Sequence, residues 1–162
     1  MRIFLIKTHL PTYNKTYYYG RCKAMAKIFK YLFLFSFGGI IYLLIELLWR
    51  VYSHWSMFIL GGSCFVLLGL LNQKYTRQIP LLLQMLYGAF IITSLEFIAG
   101  CILNLWLNLN VWDYNNMPYN ILGQICLPYM ILWFILSPAC IIVDDYMRYL
   151  FFDEDKPHYQ LF

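Results

Sequence analysis

An all-α membrane protein is the fold class this sequence predicts: a polytopic bundle of four transmembrane helices, arranged as two tandem parallel helix-pair repeats with both termini cytoplasmic. Three observations point to it. Hydrophobic residues make up 62% of the 162 and charged residues only 12%, with a mean hydropathy of +0.60, whereas soluble domains hold about 45–50% and about 25%. Four apolar stretches come close to the roughly 20 residues a helix needs to cross about 30 Å of hydrocarbon. Two parts of the chain also repeat one another, and each places a single carboxylate at the same depth in a span.

Residues 1–27 read as a cytoplasmic tail. Pro11 and the polar-aromatic run at 12–19 show no helical periodicity, and no apolar core with a small-residue cleavage site precedes Lys30. A cleaved signal is therefore not expected, and the first span would itself direct insertion. Met25 opens directly onto that span and stands as an alternative start of translation.

The membrane domain is expected over 28–143, with spans at 28–49, 55–71, 81–107 and 121–143. The second is short, and the third is long enough to tilt or to extend beyond the bilayer. Pro128 and Pro138 are expected to interrupt the fourth, since proline frees a carbonyl and bends a helix. Residues 144–162 read as a cytoplasmic tail, with Asp144 and Asp145 able to pair with Arg148 and a solvated stretch from Asp153 to Pro157.

The repeat covers about 33–71 and 83–133. Phe37, Gly38, Gly39, Ile41 and Glu46 match Tyr87, Gly88, Ala89, Ile91 and Glu96 at an offset of 50 positions. Ile59, Leu60, Gly61 and Cys64 then match Ile121, Leu122, Gly123 and Cys126. Because each repeat holds two spans, both would enter the membrane in the same sense, related by an axis along the membrane normal.

Charge placement sets the orientation. Arg2, Lys7, Lys15, Arg21, Lys23, Lys27, Lys30, Lys74, Arg77, Arg148 and Lys156 fall on one side of these spans, which is eleven of the twelve basic residues, and only Arg50 falls on the other. The positive-inside rule then makes both termini cytoplasmic. The net charge of +4 is a topology signal, and no basic run interleaved with aromatics suggests nucleic acid. Cys22, Cys64, Cys101, Cys126 and Cys140 form neither a CxxC nor a metal-ligand spacing and read as small packing residues. No cofactor or metal site is expected, and no catalytic residue is assigned.

Gly38, Gly39 and Tyr42 share a helical face with Glu46, and Gly88, Ala89, Thr93 and Gly100 share one with Glu96. Small residues allow close helix approach, so these faces should look into the bundle. Intramembrane acids are costly and are functional candidates by default. The alternative is that Glu46 is an interfacial acid paired with Arg50 and that Glu96 is a protonated packing residue. The loop before span four gathers Asn104, Trp112, Asp113, Tyr114, Asn120 and Gln124 on the side where Glu46, Glu96 and Arg50 lie. These residues are expected to line the mouth of a path for a small polar solute or cation.

Glu46 and Arg50, the segment 53–58, Gly61 and Gly62, Glu96, and above all Trp112, Asp113 and Tyr114 with Asn120, Gly123, Gln124, Ile125 and Cys126 resemble bacterial proteins described as putative ABC-transporter permeases, CmpB-like or type IV. The likeness covers about 33–133. Many relatives carry an Arg-Gly pair and a Gly-Pro loop after the first acid, whereas this chain has Arg50 followed by Val51. The resemblance implies a transporter permease of the bacterial plasma membrane. No phosphate-binding G-x-x-x-x-G-K-[ST] loop is present, so any ATPase would be a separate protein. Four spans are few for a permease, which suggests a homo-oligomer or a complex with another membrane subunit.

Three functions follow from these residues. One is a permease or permease subunit using the paired acids. Another is a non-catalytic assembly or scaffold subunit whose acids fix helix register. The third is an intramembrane enzyme acting on lipid or peptide, against which stands the absence of H-E-x-x-H and G-x-S-x-G.

Overall fold

The computed structural model describes residues 12–75 and 79–159, with side chains at 22–71 and 79–159. Arg2, Lys7, Pro11 and Arg77 lie outside the described residues, and so do the side chains of Lys15, Arg21 and Lys74. The chain divides into two units, Met1–Leu32 and Phe33–Phe162. In the first, helix α1 (Thr12–Arg50) already begins at Thr12, where sequence periodicity gave no sign of a helix, and residues 22–29 are exposed. The second unit holds the rest of α1 and all the other elements.

Here α1 runs to Arg50, followed by α2 (Trp55–Tyr75), α3 (Leu81–Gly100), a π-helical turn (Cys101–Trp106) that continues α3, a minimal hairpin of β1 (Asn120–Ile121) and β2 (Ile125–Cys126), and α4 (Leu127–Phe152). The strands are antiparallel, with Asn120 opposite Cys126 and Ile121 opposite Ile125. Three helical segments are long and apolar enough to cross a membrane: Cys22–Arg50, Leu81–Trp106 and Leu127–Phe152. The apolar part of α2, Trp55–Leu71, is shorter. The end holding the 51–54 turn and the 107–126 segment, opposite the C-terminus of α4, is called distal.

The fourth span begins six residues later than its apolar run suggests. Residues 121–126 close the hairpin, and Leu122 and Gly123 have left-handed φ values of 51° and 67°, which no α-helix accommodates. The matched segments Ile59–Cys64 and Ile121–Cys126 thus differ locally, since 59–64 is helical and 121–126 is not. Pro128 does not interrupt α4. It lies in the first turn, where its missing N–H would have no helical partner. Pro138 does lie inside α4, and the carbonyl it strands, that of Phe134, accepts from Ser137 Oγ at 3.1 Å. The helix then continues through Asp144 and Asp145 to Phe152, ending at Asp153 with φ 56°.

Between helices in lipid there is no hydrophobic drive, so association rests on close packing. Glycines supply it. A Cβ on Gly38 would sit 2.2 Å from Phe65 and one on Gly61 2.3 Å from Tyr42, which locks α1 onto α2. On α3, Gln84, Gly88, Ala89, Thr93, Glu96 and Gly100 are buried along one face. Leu82, Leu86, Phe90 and Ile98 are exposed on the other, as a lipid-facing stripe should be. Two cores result: Leu34, Phe65 and Met147 toward the proximal end, and Met57, Leu60, Cys64, Val111, Trp112, Tyr114 and Cys126 at the distal end.

Candidate functional site

The distal core holds most of the buried polar groups that the sequence singles out. Glu96 is 3% exposed. Its Oε1 accepts from the Tyr114 hydroxyl at 2.9 Å and its Oε2 from Trp133 Nε1 at 2.8 Å. An indole N–H can only donate, so Oε2 is an acceptor whatever the charge of the acid. Tyr114 comes from the 107–126 segment and Trp133 from α4, so Glu96 joins three parts of the chain. Around it the rings continue, with Tyr114 stacked on Tyr129 at 4.6 Å and Trp133 lying 6.4 Å from both Tyr129 and Tyr42.

Glu46, on the last turns of α1, is buried as well. It accepts from Ser53 Oγ and pairs with Arg50 Nη1 at 3.6 Å. Arg50 also donates from Nη1 to the Val111 carbonyl at 3.2 Å. Both acids therefore reach the same short stretch, Glu96 through Tyr114 and Glu46 through Arg50 and Val111.

Three amides of this region, Asn104, Asn120 and Gln124, turn toward the protein's own backbone. Asn104, presented by the π-helical turn, donates from Nδ2 to the Trp112 carbonyl at 3.0 Å and to Gln124 Oε1 at 2.8 Å. Its Oδ1 accepts from Val111 N at 2.7 Å. Gln124 Nε2 donates to the Leu122 carbonyl, Trp112 Nε1 donates to the Gln124 carbonyl, and Tyr114 N donates to the Gly123 carbonyl. Asn120 donates to the Asn115 and Met117 carbonyls and accepts from Gly123 N. Asp113 is exposed and closes a turn by accepting from Asn115 N at 2.8 Å. A Cβ on Gly100 would lie 2.6 Å from Gln124 Oε1, so glycine at the start of the π-helical turn lets the segment dock against α3.

The structure thus brings together Glu96, Tyr114, Trp112, Asn104 and Gln124, ties Glu46 and Arg50 to them through Val111, and leaves Asp113 and Asn120 in the turn beyond. Sequence reasoning missed Trp133, Ser53 and Tyr129. A tryptophan well inside a span, away from the aromatic belt, was the available signal, because a buried indole N–H needs an acceptor. Among the described residues no cluster of three His, Cys, Asp or Glu is placed to hold a metal.

A second polar cluster lies proximally. Arg148 and Asp144 are 1% and 0% exposed, and Arg148 Nε lies 2.5 Å from Asp144 Oδ2. The carboxylate packs on Gly69, where a Cβ would leave it no room. Tyr159 donates to Asp145 at 2.7 Å, and burial together with that carboxylate pushes the phenol above its usual range.

Spanning helices with inward-facing acids define an integral membrane protein. The chain belongs to the family described as putative ABC-transporter type IV, whose family model matches residues 31–154. Neither a curated protein nor a solved structure gives a significant match.

Proposed function

We propose that this protein is a permease or permease subunit for a small solute or cation, in which Glu46, Glu96, Arg50 and the 107–126 segment form a gate at the distal, outer face of the plasma membrane. One observation carries the reading: two buried acids on different helices reach the same four residues, Val111 to Tyr114, Glu96 directly through Tyr114 and Glu46 through Arg50. A segment latched by buried carboxylates releases when either carboxylate changes its charge or its partner. Family membership supports transport. In this reading α2 also crosses, giving four spans, two parallel repeats with matched acids and both termini in the cytoplasm. Energy would come from a separate ATPase, and the spans would be completed by a second copy or another membrane subunit.

The test is Glu96→Gln in protein reconstituted with whatever co-purifies in mild detergent. A glutamine carbonyl accepts from Trp133 and its amide donates to the Tyr114 oxygen, so both contacts survive and only the ionisable group is lost. Loss of flux with unchanged assembly supports the gate, and unchanged flux removes it. The assembly reading has one observation in its favour: both oxygens of Glu96 are already hydrogen-bonded within a packed aromatic core. It predicts that Glu96→Gln alters complex formation and leaves flux intact.

A further inference from the structure

From Cys101 to Val143 the sequence contains a single charge, Asp113. Across that stretch the 107–126 segment exposes large apolar side chains, with Leu107 at 51%, Leu109 at 46%, Tyr119 at 81%, Ile121 at 54% and Leu122 at 61%. A loop standing in water would carry polar residues at such positions.

Its depth is fixed by its bonds. Glu96 precedes the end of the π-helical turn at Trp106 by ten residues, which is about 15 Å of helix. Tyr114 nevertheless reaches Glu96 with a 2.9 Å bond, and because a helical side chain leans toward the N-terminus of its helix, Glu96 does not itself close that separation. The backbone at Tyr114 therefore lies below the end of the α3 extension, folded back alongside the bundle. Asn104, held two residues short of that end, bonds the Trp112 carbonyl and Val111 N, which places them at the same level. Exposed Ile98 and Ile102 before the segment and Leu127 and Ile131 after it make its apolar surface continuous with the lipid-facing surface of α3 and α4.

Non-helical backbone at membrane depth is tolerated only where its N–H and C=O groups are satisfied by protein. The amides meet part of that demand, beside the backbone bonds of the Leu107, Leu109, Tyr114, Met117 and Gln124 N–H groups. Asn104, Asn120 and Gln124 between them bond the carbonyls of Trp112, Asn115, Met117 and Leu122 and the N–H groups of Val111 and Gly123. Asn104, Asn120 and Gln124 thus turn to the backbone while the aliphatic side chains turn outward, and Asn108, Asn110, Asn115 and Asn116 are exposed with Asp113 among them.

We infer that residues 107–126 form a re-entrant cap immersed in the distal leaflet, with Leu109, Tyr119, Ile121 and Leu122 against lipid acyl chains. The inference is independent of transport and stands even if the protein carries nothing across the membrane.

Spin labelling of the full chain in lipid nanodiscs tests it. Leu122→Cys and Ile121→Cys would be labelled in a Cys22→Ser background, with Ile98→Cys as the lipid-facing reference and Lys156→Cys as the aqueous one. The unsubstituted background gives the baseline for the remaining cysteines. The cap predicts oxygen relaxation at 121 and 122 matching position 98 and loss of the nickel-chelate relaxation seen at 156, for a depth of about 5–10 Å below the headgroup boundary. Nickel-chelate relaxation equal to that at 156 would place the segment in water and overturn the inference. Low relaxation by both reagents would mean that protein covers the surface, which also overturns it.

Discussion

Tyr114→Phe isolates the hydroxyl that holds the cap to Glu96. The ring keeps its stack on Tyr129, so packing is retained and one bond to a 3%-exposed carboxylate is lost. Hydrogen bonds to charged groups contribute about 1.5–3 kcal/mol, and a value near 2 corresponds to about a 30-fold change in an opening equilibrium. The remaining ties, from Asn104, Gln124, Trp112 and Arg50, are untouched. The loss should therefore appear as local opening of the cap. Amide hydrogen exchange in nanodiscs reads this directly, because Val111 N is protected by Asn104 Oδ1 and Tyr114 N by the Gly123 carbonyl. Both should exchange about 30-fold faster while mid-helix amides of α3 and α4 hold their rates. Trp133→Phe should act on the opposite oxygen with similar size. The double substitution should cost more than the sum, because it strands the carboxylate altogether. Unchanged exchange at Val111 and Tyr114 in the single variant would refute the latch.

Val51→Gly should raise the thermal midpoint in detergent by relieving a φ of 66° at an exposed β-branched residue just past the end of α1. The gain is about 1 kcal/mol, being the left-handed penalty less the entropy of a freer unfolded chain. Gly100→Val should lower stability by roughly 1–3 kcal/mol through overpacking against Gln124 and Trp112, and it should accelerate exchange in the cap as Tyr114→Phe does. Asp144→Ala should cost about 3–5 kcal/mol by removing the nearer carboxylate from the buried Arg148 guanidinium, which keeps Glu154 at 4.0 Å, whereas Asp144→Val with Arg148→Met should recover most of that. Denaturation midpoints of the two variants in one detergent decide between these outcomes.

The membrane class, the spans of α1 and α3 and the buried faces of Glu46 and Glu96 were legible in the sequence because they depend on run length and helical spacing. The start of α4 was not. Apolar composition at 121–126 suits a helix and a buried hairpin equally, and the deciding fact, the left-handed backbone at Leu122, carries no compositional mark. Pro128 did carry one, but it was read as an interruption of the span and not as a first-turn proline, which would have set the boundary where α4 begins. The π-helical turn that aims Asn104 was illegible because it depends on the docking of a segment far along the chain. Nor does composition tell which amides turn to the backbone: Asn104, Asn120 and Gln124 do, whereas Asn108, Asn110, Asn115 and Asn116 are exposed. Whether an amide faces outward or its own backbone is decided by the fold-back of 107–126, which Tyr114 fixes through a contact 18 residues away.

The matched acids have come to unlike surroundings. Glu46 lies beside an arginine one turn on and a serine from the adjoining turn, whereas Glu96 has a phenol and an indole. An ion pair one turn apart on a helix can form before the rest of the bundle packs. The Glu96 contacts cannot, because they require α3, α4 and the cap together. In the transport reading Glu46 would position Arg50 for Val111, and Glu96 would be the group whose state reports whether the cap is seated. A proton or cation reaching Glu96 would act on a carboxylate whose two oxygens tie the cap and α4 to α3. Releasing that contact exposes Trp133, Tyr129 and Tyr42 to whatever lies beneath, so in the transport reading any route through the distal half of the bundle opens at Tyr114 first.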